Sequence, residues 1–134
     1  MPLPVRFDIL VVEDDEDQLS LFTEILALTG YAVHSVSTAA NALMILRGAY
    51  VDLLITDIRL GSTMNGFELA DLAQSIQPSL QTLFITSFTK GVASHQRAAR
   101  PDVQILFKPF SLNNLVGAVS QILNRSVSTR PALS

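Results

Sequence analysis

The chain has 134 residues, 49% of them hydrophobic, and a formal net charge of −3. This length suits one domain with one core, and the composition excludes a disordered chain. The absence of cysteine excludes disulfides and thiolate metal sites, and no basic patch offers a footprint for nucleic acid. No apolar run could span a bilayer and no signal-peptide pattern is present, so we expect a cytoplasmic protein without membrane contact.

Strand-like and helix-like patterns alternate through the first half of the chain. The run Ile9–Val12 is typical of a strand buried on both faces. Apolar residues then recur at helical spacing: Leu19, Phe22, Ile25 and Leu26. Gly30 is a plausible end for that helix, and Ala32–Val36 follows as a second strand. Thr38 can cap the next helix, which we expect to end near Gly48.

The second half repeats the alternation. A third strand is expected at Leu53–Ile55, ahead of a helix whose apolar face comprises Leu69, Leu72, Ala73 and Ile76. Leu83–Ile85 and Val103–Phe107 are predicted as the fourth and fifth strands. The stretch Lys90–Arg100 between them predicts a short polar helix. Ser111 can cap the last helix, whose stripe comprises Leu112, Leu115, Val116, Val119, Ile122 and Leu123.

Strand–helix units in this succession predict an α/β domain with one parallel sheet covered by helices on both faces. We place that domain at residues 8–125, after an N-terminal extension at 1–7 and before a flexible tail at 126–134. In such sheets the ligand site lies beyond the carboxyl ends of the strands.

Polar residues stand at the predicted carboxyl ends of four strands. Glu13 and Asp14 follow the first strand, Asp57 the third, Thr86 the fourth and Lys108 the fifth. Because these strand ends lie along one edge of a parallel sheet, we expect the side chains to meet there.

Three carboxylates brought together at such an edge repel each other unless a cation compensates for the charge. A hard divalent cation such as Mg²⁺ suits oxygen ligands and needs only one or two carboxylates from the protein. The alternative is a solvated acidic cap at a helix start, which we favour for the residues after Asp14. For Glu13 and Asp14 themselves the two interpretations are equally open.

Asp57 taken alone is more often a turn or cap residue, but its neighbours favour chemistry. A carboxylate can attack a phosphoryl group and form an acyl phosphate, a transfer that depends on positioning and charge neutralisation. Lys108 would reach Asp57 as a compact ammonium, and Thr86 would supply a hydroxyl. The bond between Lys108 and Pro109 is one where a cis peptide is permitted, which would aim the lysine inward.

Together these residues resemble the receiver domain of bacterial response regulators. The segments that carry the resemblance are ILVVEDDE, LLITDIRL, LFITS and ILFKPF, in the family's order, and the similarity covers Asp8 to Leu123. It implies a single flavodoxin-like (βα)5 three-layer sandwich with strand order 2-1-3-4-5. It also implies site roles: Asp57 as phosphoacceptor; Asp14, Asp57 and the Arg59 backbone carbonyl as Mg²⁺ ligands; Glu13 as a contact to the metal through water; and Thr86 and Lys108 as partners of the phosphoryl group.

The resemblance further implies a phosphoryl donor and a protein output. The donor would be a phosphohistidine on a sensor histidine kinase or a histidine phosphotransfer protein. The domain would catalyse only its own phosphorylation and dephosphorylation, so it would not be an enzyme acting on a separate substrate. Its surface around the Lys90–Arg100 helix, the fifth strand and the last helix would contact an unidentified downstream protein or form a homodimer. Ile105 stands where the family often has an aromatic switch residue.

Two other classes of function require residues that this chain lacks. A haloacid-dehalogenase-type phosphatase needs a second Asp two residues after the nucleophile, where this chain has Arg59. A flavin-binding module needs a phosphate loop after the first strand, where Glu13 and Asp14 would repel phosphate. A receiver-like adaptor that is not phosphorylated remains open as an alternative. We interpret the Asn65-Gly66 pair as an ordinary turn.

Overall fold

The computed structural model describes residues 6–60, 64–87 and 104–129, with side chains described as far as residue 124. Within these ranges the chain forms five strands and four helices. In chain order they are β1 (Asp8–Val12), α1 (Glu16–Leu28), β2 (Ala32–Val36), α2 (Ala39–Gly48), β3 (Leu53–Asp57), α3 (Gly66–Ile76), β4 (Gln81–Thr86), β5 (Gln104–Phe107) and α4 (Leu112–Thr129). The predicted helix at Lys90–Arg100 and the predicted start of the fifth strand at Val103 lie outside the described residues.

All five strands pair in parallel in the order β2-β1-β3-β4-β5, which confirms the predicted architecture and strand order. The pairing aligns Val12 with Thr56, and Asp57 with Ile85. The carboxyl ends of β1, β3 and β4 therefore lie side by side at one edge of the sheet. This register brings residues from distant parts of the chain to one site.

The core has two halves, one on each face of the sheet. Alternate residues of β1 supply both, because successive strand side chains point to opposite faces. Leu10 and Val12 pack with apolar residues of α2 and α3, whereas Ile9 and Val11 pack with those of α1 and α4. The continuous apolar runs in the sequence follow from this burial on two faces.

Local signals placed several helix boundaries correctly. Side-chain oxygens at helix starts accept hydrogen bonds from backbone N–H groups: Asp15 from Gln18, Thr38 from Asn41 and Ser111 from Asn114. The predicted caps Thr38 and Ser111, and the acidic cap after Asp14, are thereby confirmed. Gly30 follows the end of α1 with a φ of 110°, a conformation that glycine adopts without steric cost.

Two details differ from the predicted pattern. Leu72 is 44% exposed, because the buried face of α3 is formed instead by Phe67, Leu69, Ala70 and Ala73. A helix with apolar residues on several sides could bury more than one of its faces, and packing against the sheet determines which face is buried. Helix α4 continues to Thr129, so it includes the first residues of the segment predicted as a tail.

Gln77 ties together the ends of α2 and α3. Its Nε2 donates to the carbonyl oxygens of Leu46 at 2.8 Å and Ala49 at 2.7 Å, and its Oε1 accepts from the Val51 N–H at 3.0 Å. These groups belong to the last turn of α2 and the loop after it, where backbone carbonyls lack helical partners. One side chain thus satisfies three backbone groups ahead of β3.

Replacing Gln77 by alanine should lower the free energy of unfolding by about 1–2 kcal/mol, because three backbone groups lose their partner. Gln74→Ala is the matched control, since the Gln74 side chain is exposed and makes one long hydrogen bond of 3.5 Å to Leu80. Urea denaturation followed by circular dichroism measures both. Equal losses in the two variants would contradict the role assigned to Gln77.

Candidate functional site

Asp57 is the last residue of β3 and is 8% exposed. The Arg59 N–H donates to its Oδ1 at 3.0 Å, and the Lys108 ammonium donates to its Oδ2 at 3.0 Å. The next residue, Ile58, donates its N–H to the carbonyl oxygen of Ile85 at 2.9 Å, so the backbone stays tied to β4 beyond the end of the strand. Both carboxylate oxygens of Asp57 are therefore oriented by neighbours.

Glu13 follows β1 and is more deeply buried than Asp57, with 2% exposure. Its Oε1 accepts from the Asp15 N–H at 3.2 Å, and its Oε2 lies 3.3 Å from the Lys108 ammonium. Burial, helped by the nearby charge of Asp57, outweighs the opposing Asp15 and Lys108 contacts and raises the pKa of Glu13 to about 7. Negative charge at Glu13 is thus costly unless a cation is near.

Lys108 joins the two carboxylates. It follows β5, its N–H donates to the Thr86 carbonyl oxygen at 2.7 Å, and its peptide bond to Pro109 is cis, as its position permits. Desolvation lowers the pKa of Lys108, but hydrogen bonds and charges from Asp57 and Glu13 outweigh it, so the net shift is upward. The ammonium therefore stays charged between two acidic groups. The sequence predicts the contact of Lys108 with Asp57 specifically, whereas for Glu13 it predicts only a place at the same strand ends.

An aromatic contact holds the segment that carries Lys108. Phe110 stacks on Phe22 of α1, with ring centroids 5.7 Å apart and planes 26° from parallel. Such a stack contributes about 0.5–1.5 kcal/mol beyond the area it buries. It fixes the chain just after the cis bond to Pro109. The sequence does not predict the contact between Phe22 and Phe110, because no local pattern links residues so far apart in the chain.

Thr86 ends β4 beside Asp57. It is 6% exposed, pairs with Phe107 of β5, and directly follows Ile85, the strand partner of Asp57. The β4 register therefore places a buried threonine at the same edge as the carboxylate.

Only some of the predicted metal ligands are buried together at the carboxyl ends of the strands. Glu13 and Asp57 converge on Lys108, whereas Asp14 is exposed. Among the described residues, no three His, Cys, Asp or Glu side chains are arranged as a metal site. The donor chemistry nevertheless fits a hard cation, because two nearly buried carboxylates share one ammonium and an exposed carboxylate lies next in the chain.

Gly66 belongs to the site although it was interpreted as an ordinary turn residue. It is the buried first residue of α3, after the N-cap Asn65. A Cβ at this position would overlap the carbonyl oxygen of Asp57 and lie 3.0 Å from the Ile58 Cα. The turn interpretation is therefore wrong. The missed signal was a glycine directly after a capping residue, which is ambiguous in sequence because turns have the same composition.

Comparison with known sequences identifies the family. The family model described as the response regulator receiver domain matches residues 9–120. The chain is a member of the response regulator receiver family. Receivers of this kind are signalling modules of two-component systems rather than conventional enzymes.

Individual relatives agree with this assignment. The response regulator receiver protein CpdR of Brucella abortus (strain 2308) is 36% identical over 115 residues, spanning 86% of this receiver and 95% of CpdR. Sensor kinase CckA of the same strain is 26% identical over 119 residues, 87% of this receiver but 12% of the kinase. The crystal structure of a response regulator receiver protein from Sinorhizobium medicae WSM419 has a TM-score of 0.80 and 33% identity, covering 90% of this receiver and 97% of that chain.

Where the structure describes this receiver, no helix combines the length and the apolar character that crossing a membrane requires.

Replacing Lys108 by methionine should lower the free energy of unfolding by about 2–4 kcal/mol at pH 8 in EDTA, because two buried carboxylates lose their shared cation. Arg47→Met is the control: Arg47 is exposed in the last turn of α2, so its loss should cost less than about 1 kcal/mol. Urea titrations of both variants against wild type measure the difference. A loss at Lys108 no larger than at Arg47 would show that the shared contact contributes little.

Proposed function

We propose that this receiver accepts a phosphoryl group on Asp57 from a phosphohistidine, in a reaction that depends on Mg²⁺. The observation that carries the proposal is the environment of Asp57, whose Oδ1 accepts from the Arg59 N–H and whose Oδ2 accepts from the Lys108 ammonium. A nucleophile at the end of a strand, with both oxygens oriented and a cation adjacent, fits phosphoryl transfer, which relies on positioning and charge neutralisation.

In this reaction a carboxylate oxygen of Asp57 forms a bond to phosphorus as the phosphorus–nitrogen bond of the donor breaks. The bonding electron pair stays on the imidazole nitrogen, which takes up a proton, and an acyl phosphate remains on Asp57. Lys108 already contacts Asp57 and can move onto a phosphoryl oxygen over a short path. Thr86, buried at the end of β4, would donate its hydroxyl to another phosphoryl oxygen. Hydrolysis of the acyl phosphate by water would restore the carboxylate.

Mg²⁺ would be held by Asp14, Asp57 and the Arg59 backbone carbonyl, with Glu13 contacting it through water. When bound, the ion supplies positive charge that offsets the repulsion between these carboxylates and the incoming phosphoryl group. The chain itself keeps Glu13 and Asp57 nearly buried and close to one ammonium, which maintains a concentrated negative charge at the edge of the sheet.

The donor would be a sensor histidine kinase or a histidine phosphotransfer protein. The similarity of this receiver to a region of sensor kinase CckA supports a kinase partner. Output would pass through the surface around β5, where Phe107 is 39% exposed, to a downstream protein or a second copy of the chain. Ile105 packs against the core cluster between the sheet and helices α2 and α3. It would therefore pass a change at the phosphorylation site to the packing of that cluster.

Wild-type protein incubated with radiolabelled acetyl phosphate and Mg²⁺ should incorporate label, whereas Asp57→Asn and wild type in EDTA should not. Asp17→Asn is the matched control, because Asp17 is an exposed carboxylate in the first turn of α1. It should label as wild type does. Label that persists in Asp57→Asn would overturn the assignment of the acceptor. Absence of label in every sample would favour the unphosphorylated adaptor.

Phosphorylation should also shift the backbone amide resonances of β5, because Lys108 directly follows that strand and donates its N–H to the carbonyl oxygen of Thr86 at the end of β4. Two-dimensional ¹H–¹⁵N NMR before and after addition of acetyl phosphate and Mg²⁺ measures this shift. The internal reference is β2, the outer strand of the sheet that lies farthest from β5. Unmoved β5 resonances in a fully phosphorylated sample would remove the case for output through this strand.

A further inference from the structure

The start of α3 lies directly against the backbone of Asp57. Gly66 is buried, and a Cβ there would overlap the Asp57 carbonyl oxygen and lie 3.1 Å from the Asp57 carbonyl carbon. An approach as close as the one to the carbonyl oxygen is essentially never made by a real Cβ atom, and the opposing atoms are backbone, which cannot rotate away as a side-chain end can. Glycine is needed here for space.

Hydrogen bonds hold the same stretch of backbone from two sides. On one side, the Ile58 N–H donates to the Ile85 carbonyl oxygen of β4 at 2.9 Å. On the other, the Gly66 N–H donates to the Ile58 carbonyl oxygen at 2.7 Å. The backbone of Ile58, the residue that follows Asp57, is therefore held between β4 and the first residue of α3. Without a Cβ, α3 can approach closely enough to make the second of these bonds.

The first turn of α3 is itself well fixed. Asn65 and Glu68 form a reciprocal capping box: the Asn65 side chain accepts from the Glu68 N–H at 2.9 Å, and Glu68 accepts from the Asn65 N–H at 2.9 Å. Phe67 is buried directly after Gly66 and packs on Phe84 of β4, with ring centroids 4.5 Å apart. Since the helix start is anchored in this way, an added Cβ would displace the Asp57–Ile58 backbone as well as the helix.

We infer that Gly66 is a positioning residue that sets the backbone of Asp57 and, through Ile58, of Arg59. Two groups depend on this backbone: the Asp57 carboxylate, and the Arg59 peptide whose N–H orients it. The inference rests on the proposed phosphoryl transfer for its effect on rate. The structural part, that Gly66 fixes the geometry between Asp57 and Lys108, holds without any phosphoryl group.

The test is Gly66→Ala with Gly117→Ala as the matched control. Gly117 is an exposed helical glycine of α4 with nothing within 4 Å of an added Cβ, so its substitution adds the same methyl group without a clash. In Gly66→Ala, the maximal rate of labelling by acetyl phosphate should fall about tenfold or more, because reacting groups displaced by a fraction of an ångström to 1 Å lose that much or more. The Mg²⁺ dissociation constant from calorimetry should rise. Gly117→Ala should match wild type in both.

A structural readout separates this inference from the proposed function. The ¹³C shift of the Asp57 carboxyl carbon and the ¹⁵N shift of the Lys108 ammonium report their contact without phosphate or metal. Both should change in Gly66→Ala and stay as in wild type in Gly117→Ala. Unchanged shifts in a folded Gly66→Ala would overturn the inference, whatever the labelling. Absence of label in wild type would sink the proposed function alone.

If Gly66→Ala does not fold, Glu68→Ala takes its place. It removes one of the two hydrogen bonds of the capping box without adding atoms near Asp57. The substitution therefore weakens the start of α3 without touching the site itself. The Gly66 amide should then exchange its hydrogen faster and labelling should slow, relative to Glu24→Ala on an exposed position of α1. Faster exchange of the Gly66 amide with labelling and Lys108 shifts as in the control would refute the positioning role.

Discussion

The site depends on one ammonium shared by two carboxylates that are almost removed from water. Lys108 contacts Asp57 at 3.0 Å and Glu13 at 3.3 Å, from positions 51 and 95 residues away along the chain. Lys108 gives both carboxylates a nearby opposite charge, which offsets part of the cost of burying them. With both carboxylates ionised, the three groups together carry one net negative charge. In the proposed phosphoryl transfer, Lys108 and Mg²⁺ would offset the negative charge that the phosphoryl group adds to this site.

That contact exists because the backbone brings its partners together at one edge of the sheet. Parallel pairing aligns the ends of β1, β3 and β4, and the stack of Phe110 on Phe22 holds the chain beyond β5. The glycine that begins α3 fixes the opposite side of Asp57. Strands, loop and helix start thus each constrain a different part of the surroundings of Asp57. The backbone thus sets the relative positions of the charged side chains at this site.

The similarity to CpdR covers nearly the whole of both chains, whereas the match to CckA covers a small part of that kinase. The same unit thus serves as a nearly complete chain in one relative and as one region of a larger protein in another. Edge strand β5, where Phe107 is 39% exposed, is a surface feature separate from the buried site at the strand ends. Such a separation of site from surface is what a signalling module requires.

The sequence by itself determined the elements whose causes are local. Apolar runs predicted the strands, Thr38 and Ser111 predicted helix caps, and polar residues at the predicted strand ends identified Glu13, Asp57, Thr86 and Lys108 as candidates. Tertiary structure decided what depends on distance through space. It buried Glu13 against Lys108 and left Asp14 exposed, turned Leu72 away from the core, and placed Gly66 where a methyl group has no room. Periodicity and capping reflect hydrogen bonds within a few residues, whereas these outcomes arise from packing between segments that the sequence separates.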